Sequence, residues 1–392
     1  MSVRQIRNHI DLVLFLAVLA LMVMSLGVVY SASSTYSMVK WNESGRLLER
    51  HLIKVGAGIV AIFIFMQIDY RVYRKLTKPA LIVAIVLLLV TLALGGELKG
   101  ASRWLRFGGF GFQPSEFAKY ALLFHLCVLI TDKKKRIEDF ATGFMPMLIW
   151  IVPVTALVLA QPNFSNGAMI FTMSIVLLFI GRAKLLHIAG TLGACVPVLG
   201  LVMLMAPYRM QRILSYLGGS GAAGKIHYQL DQAIIGFGNG GVFGLGLGGS
   251  RQRELFLPES YGDFVFSIVG EEWGLIGALL TMFVFLLIML RGLKIAKHAP
   301  DDLGRILAFA ITTSITLYAL VNAGVTLGIL PTTGLPMPFV SYGGSSIFFT
   351  SIAVGVLLNI SMQTDLYPRL AGTPDSIRPI EPVRAAAAGR VS

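Results

Sequence analysis

The chain has 392 residues, of which 55% are apolar and only 14% charged, with 33 Lys and Arg against 20 Asp and Glu. Soluble globular chains carry about a quarter charged residues, so this composition excludes a soluble enzyme, a disordered chain and a disulfide scaffold. The two cysteines, Cys127 and Cys195, lie in separate apolar runs and define no disulfide framework.

Apolar windows of about 20 residues are long enough to cross a hydrocarbon core about 30 Å thick. They predict ten helices, at 11–30, 51–68, 79–95, 114–131, 140–160, 167–181, 185–206, 265–290, 305–329 and 346–361. Such continuous runs do not alternate as barrel strands do. The expected fold is an all-α polytopic membrane protein with ten transmembrane helices and a large extracytoplasmic loop, 207–264, between helices 7 and 8. Arg4 and Arg7 precede the first span as in a signal peptide, but its apolar region is too long for one that is cleaved. It reads as an uncleaved anchor. With the N-terminus inside, the inner segments hold 20 Lys and Arg and the outer loops 11, which by the positive-inside rule makes both termini cytoplasmic. The basic balance thus reflects membrane sidedness and gives no reason to expect nucleic acid. Residues 1–10 form a cytoplasmic N-terminus, 11–361 the membrane domain, and 362–392 a cytoplasmic tail too poor in apolar residues to pack, expected to be disordered.

Three outer segments carry polar information that a passive bundle would not need. The first runs from Lys99-Gly-Ala-Ser-Arg103-Trp104 to Gln113-Pro114-Ser115-Glu116-Phe-Ala-Lys119. Pro114 suits a first helical turn, and Glu116 and Lys119 fall on one face. Ionisable groups at membrane depth are costly and meet a partner or a cavity; a structural ion pair and a substrate contact both fit. The second is the 207–264 loop, opening with Pro207-Tyr-Arg209-Met-Gln-Arg212, carrying eight glycines between Gly236 and Gly249, and closing with Leu257-Pro-Glu259-Ser-Tyr-Gly-Asp263-Phe264. A loop of that length is usually functional. Asp263 sits where an apolar run begins, so its carboxylate would be partly desolvated and a better proton acceptor; it could equally cap the next helix. The third is Leu330-Pro331-Thr-Thr-Gly334-Leu-Pro336-Met-Pro338 followed by Ser341-Tyr342-Gly343-Gly344-Ser-Ser346. Its prolines and glycines forbid a continuous helix, and broken backbone at membrane depth is tolerated only against protein or a watered cavity.

Other motif matches fail on context. Gly219 to Lys225 nearly fits a phosphate-binding loop, but Ile226 replaces the needed Ser or Thr. The G-x-G-x-x-G runs at Gly236 and Gly244 sit in no strand–helix unit. The histidines show no metal-like spacing.

Taken together, Gly100-Ala-Ser-Arg103-Trp104, Gln113 to Lys119, the glycine-rich loop ending at Asp263-Phe-Val-Phe266, and Ser341 to Ser346 resemble the SEDS family of shape, elongation, division and sporulation proteins, the FtsW/RodA group. The resemblance covers about residues 12–361. The stretches at 100–104 and 207–212 are similar to the FtsW division branch, while Thr333 and Gln161-Pro-Asn163-Phe164 depart from its usual pattern and keep a RodA-like paralogue open. Asn163 replaces a usual Asp and is expected to have no acid role. The resemblance implies a peptidoglycan glycosyltransferase polymerising lipid II on the outer face of the bacterial cytoplasmic membrane, at the septum if the division branch holds. It implies Asp263 as catalytic base and a class B penicillin-binding protein and other division proteins as partners, besides membrane lipid. Arg103, Lys119, Arg209 and Arg212 are candidates to hold the pyrophosphate. Trp104, Glu116, Glu259, Ser341, Tyr342, Gly343 and Gly344 are expected to complete the substrate site. No cofactor is required by any residue pattern, and a divalent cation stays open. A lipid II flippase and a pure recruiting scaffold are the rival readings. The flippase has no evident need of the long outer loop, and the scaffold none of Glu116, Lys119 and Asp263.

Overall fold

The computed structural model describes residues 8–94, 103–107, 110–161, 163–204, 225–258 and 260–366. Its helices are α1 (Leu12–Trp41), α2 (Arg46–Gln67), α3 (Tyr73–Leu94), α4 (Pro114–Asp132), α5 (Met145–Ala160), α6 (Phe164–Ile180), α7 (Leu185–Leu204), α8 (Lys225–Gly240), α9 (Val265–Lys297), α10 (Asp302–Thr326) and α11 (Gly344–Met362). Ten of them coincide with the expected spans, and α8 falls in the long loop. The chain is thus a ten-span helical membrane protein.

The differences from expectation have local causes. Helix α1 runs on to Trp41, past the apolar window that ends at Tyr30, because Ser31, Ser33 and Ser37 turn inward and are buried against protein. A helix satisfies its own backbone, so this polar extension costs little once its inner face is covered. Asn42 ends it in the left-handed conformation, its N–H donating to the Met38 carbonyl. The α3–α4 connection forms an antiparallel hairpin of β1 (Leu105–Phe107) and β2 (Phe110–Phe112) with Leu105 opposite Phe112. The expected disordered tail lies outside the described residues from 367 onward.

Helices α4, α10 and α11 are mostly enclosed by protein. Helix α11 lies so close to α2 that a Cβ at Gly355 would stand 2.8 Å from the Ile62 carbonyl oxygen, the small-residue approach by which membrane helices pack. The two terminal segments meet at one end of the bundle, where the Asn8 N–H donates to the Met362 carbonyl (2.7 Å) and Asp11 pairs with Arg291 (3.0 Å). At that end Asp301 also accepts from Tyr70 (2.8 Å) and Arg71 (3.0 Å).

The opposite end is organised by a break in α9. Gly274 has φ +66 and ψ −164, which interrupts the helix one turn after Glu271. The carbonyls freed by the break are taken by the glycine-rich segment: Leu245 N–H donates to Glu271 O and Gly246 N–H to Glu272 O, each at 3.0 Å, while Leu275 N–H donates to Gly241 O at 2.9 Å. The Glu271 carboxylate accepts from the Ser250 hydroxyl and from the Arg251 and Gln252 N–H groups, both 3.2 Å away. Backbone approaches this close leave no room for a side chain. A Cβ at Gly244 (φ +82) would lie 2.1 Å from the Glu272 carbonyl oxygen. Gly240 and Gly244 are therefore there for contact between two backbones.

Gly244→Ala should lower the thermal midpoint of the purified protein sharply or prevent its accumulation in the membrane. Gly56→Ala, a helical position with open space around it, should stabilise or leave the midpoint unchanged. Equal behaviour of the two variants would refute the backbone-insertion account.

Candidate active site

Three segments meet at the end of the bundle that carries the long loop: the turn 260–264 before α9, the segment 331–343 between α10 and α11, and the adjoining ends of α1 and α2. Asn322 on α10 joins the first two, its amide donating to the carbonyls of Asp263 (2.8 Å) and Leu335 (2.7 Å). Asp263 is half-buried. Its Oδ2 lies 3.1 Å from where a Cβ at Gly334 would stand, and Gly334 has φ +70. Only glycine fits both the turn and the carboxylate beside it. Helix α9 begins after Phe264, whose side chain makes no capping bond.

Tyr342 connects the turn to α2. Its N–H donates to the Tyr261 carbonyl (2.9 Å), its ring meets the Tyr261 ring edge-on at 5.7 Å, and the Lys54 ammonium lies 3.4 Å from its ring centroid. Tyr261 in turn packs on Tyr36 (5.5 Å). Burial holds both the Tyr261 and Tyr342 phenols above their ordinary titration range, so both stay neutral and able to donate. Lys54 pairs with no carboxylate among the described residues. A lysine inside a span is costly, and here a tyrosine face compensates only in part. Above it, Lys40, Arg46 and Arg50 surround the Trp41 ring at 4.9, 6.0 and 5.7 Å. Glu43 pairs with Arg46 (3.1 Å) and Glu49 lies nearby, so this end of α1 and α2 is a charged, aromatic surface with basic residues in excess beside Asp263.

The remaining predicted residues divide into three groups. The hairpin brings Trp104 over Gly111, and the Gln113 N–H donates to the Ser345 hydroxyl (2.9 Å), so the segment carrying half-buried Arg103 docks beside the start of α11. Gly343 ends the extended segment, and Gly344 leaves room for the Lys54 stem, whose Cδ and Cε would lie 3.2 Å from a Cβ there. Glu116, Lys119 and Ser341, expected among the residues of the substrate site, are enclosed by protein. Glu116 and Lys119 pair at 2.8 Å with both side chains 2% exposed. Asn166 donates to Glu116 (3.2 Å) and accepts from the Tyr318 hydroxyl (2.6 Å), and Lys119 sits 4.2 Å from the Tyr318 ring. That arrangement joins α4, α6 and α10 and leaves the charges no open face. The Ser341 hydroxyl is taken by the Met337 N–H (2.8 Å). Asn163, where a carboxylate was expected from the resemblance, donates to Ser115 (3.2 Å). Arg209, Arg212 and Glu259 lie outside the described residues.

Lys54, Tyr261 and Asn322 escaped the sequence reading. A lone lysine in an apolar run was a visible signal for the first. Tyr261 and Asn322 gave none, since both work through backbone carbonyls or ring faces of distant segments.

The fold and this end of it define a polytopic helical membrane protein whose polar site is assembled from loops and broken backbone at one face of the bundle. The chain belongs to the FtsW/RodA/SpoVE family of cell cycle proteins, whose family model matches residues 11–366. It is 39% identical over 95% of its length to the probable peptidoglycan glycosyltransferase FtsW of Geobacter metallireducens, covering 98% of that protein. It is 38% identical over 90% of its length to stage V sporulation protein E of Bacillus subtilis, covering 96% of it. Among solved structures, a chain of a peptidoglycan synthase complex that coordinates polymerization and crosslinking superposes with a TM-score of 0.74 at 25% identity, with 90% of this chain and 97% of that one covered. The rod shape determining protein RodA of Thermus thermophilus gives 0.65 at 25% identity, with 90% and 96% covered.

Glu116→Gln leaves the Lys119 ammonium buried without its carboxylate and should cost about 3–5 kcal/mol of stability, read as a lowered thermal midpoint. A parental midpoint in that variant would show that the pair is not what holds α4, α6 and α10 together.

Proposed function

We propose that this chain is a peptidoglycan glycosyltransferase that polymerises lipid II at the outer face of the cytoplasmic membrane, in the septal synthesis of dividing cells. The observation that carries it is the half-buried Asp263, held by Asn322 against Gly334 and beside a wall of Tyr261, Tyr342 and Lys54. The FtsW relatives, similar over nearly the whole chain, support the reaction and the division branch.

In this reading the acceptor sugar hydroxyl attacks the anomeric carbon of the donor glycan. The bond from that carbon to the pyrophosphate breaks, the polyprenyl pyrophosphate leaves, and Asp263 takes the hydroxyl proton. A partly desolvated carboxylate is the better acceptor for that step. Charge develops on the departing pyrophosphate, and preorganised cations stabilise it most where water is scarce. Lys54 and Arg50 are suited to this, with Arg103, Arg209 and Arg212 as further candidates and Trp104, Glu259, Gly343 and Gly344 lining the substrate. Glu116 and Lys119 act as positioning residues beneath the site. The leaving-group charge is assigned to these side chains, with a divalent cation as the alternative that chelation would test. The likeness to a chain of a synthase complex supports a cross-linking class B penicillin-binding protein as partner.

Asp263→Asn should insert, keep its thermal midpoint and lose about 10²–10⁴-fold in glycan made per folded molecule from purified lipid II. Near-parental turnover in that variant would end the general-base assignment. Lys54→Gln should raise KM for lipid II severalfold with a smaller change in kcat; an unchanged KM would remove Lys54 from the substrate site.

Orientation is tested separately. With Cys127 and Cys195 replaced by Ser, a cysteine at Ser220 should react with a membrane-impermeant thiol reagent in cells stripped of outer barriers, and one at Ser376 should not. The reverse pattern would invert the topology.

A further inference from the structure

At the end of the bundle away from Asp263, a cavity of about 540 Å³ opens between α4, α6, α9 and α10. Its rim is cationic: Lys134, Arg182, Lys297 and Arg305 line it. Two of these charges are committed, because Asp302 pairs with Lys134 (2.6 Å) and with Arg305 (2.5 Å). Arg182 and Lys297 pair with no carboxylate among the described residues, and both are exposed. Glu138 is the remaining acidic residue of the lining, so the cavity carries a net positive charge.

Its inner wall is apolar and belongs to the spans themselves. Ile180, at the end of α6, and Leu293, in the last turns of α9, are exposed at 40% and 37%, and Phe309 lies deeper on α10. A soluble anion would need the cations and gain nothing from Ile180 and Leu293. A ligand with an anionic head and apolar chains uses both. Basic pockets between membrane helices at the cytoplasmic side are where acidic lipid head groups bind.

We propose that this cavity binds the head group of an anionic phospholipid, its phosphate held by Arg182 and Lys297 and its acyl chains lying along Ile180 and Leu293. The site is remote from Asp263 and does not depend on the activity proposed above. It adds a lipid that is held rather than consumed, at the end of α9 opposite the break at Gly274.

The test is native mass spectrometry of the purified full chain after mild delipidation, with phosphatidylglycerol and phosphatidylcholine of the same acyl composition. The parent should retain phosphatidylglycerol and shed phosphatidylcholine. The double variant Arg182→Gln, Lys297→Gln should lose affinity for phosphatidylglycerol by roughly 10–30-fold, the effect of removing two cations near the surface. The control Lys75→Gln, Lys78→Gln removes two exposed charges at the same end and should retain the lipid as the parent does. Excess inorganic phosphate should not displace it. Parental retention in the first variant, equal loss in the control, equal retention of phosphatidylcholine, or displacement by phosphate alone would each overturn the proposal. Should Arg182→Gln lower the thermal midpoint, Lys297→Gln alone, at an exposed position, carries the same comparison with a severalfold loss expected.

Discussion

The backbone break at Gly274 is the constraint on which the rest of the Asp263 end depends. Interrupting a helix inside a span frees carbonyls that lipid cannot satisfy, and each buried orphan costs about 1–3 kcal/mol. Here the chain itself supplies the donors: residues 241–246 lie along the break and take up the Glu271 and Glu272 carbonyls. The Glu271 carboxylate then ties down Ser250, Arg251 and Gln252. A segment that would otherwise wander is fixed on both sides of the break, and the turn bearing Asp263 emerges from it at a set place.

From that anchor the site is built by carbonyls and ring faces rather than by charge pairs. Asn322 bridges the Asp263 and Leu335 carbonyls, Tyr342 bonds the Tyr261 carbonyl, and Lys54 rests on the Tyr342 ring. Arg46 pairs with Glu43 at the exposed edge of this end, and other ion pairs lie elsewhere, as the Glu116–Lys119 pair within the bundle and the Arg71–Asp301 and Lys134–Asp302 pairs at the opposite end. This division has a physical sense. Cations already neutralised by a carboxylate offer little to an incoming pyrophosphate, whereas Lys54 on an aromatic face keeps its charge available.

The two ends of the molecule therefore differ in kind. One is stapled by side-chain ion pairs and by contact between the chain's two terminal segments, and the other is held by backbone insertion and aromatic packing. Helices α10 and α11 run between them, so the segment 331–343 that joins them forms one wall of the proposed site.

The sequence by itself determined the ten spans, because the need to satisfy backbone in lipid leaves a long apolar run no other structure. It also marked Asp263, the broken 331–343 segment and the Glu116–Lys119 spacing, since charge, proline and glycine at membrane depth are rare enough to stand out. What it could not decide was which marked groups face an opening. Glu116, Lys119 and Ser341 carry the same polar signal as Asp263, yet Asn166, Tyr318 and Met337 enclose them. Nor could composition show that the glycines between 236 and 249 serve a helix break some thirty residues later, or that Lys54 and Asn322 belong with Asp263. Those relations join segments far apart in the chain through backbone atoms, which every residue carries alike, and only the tertiary structure brings them together.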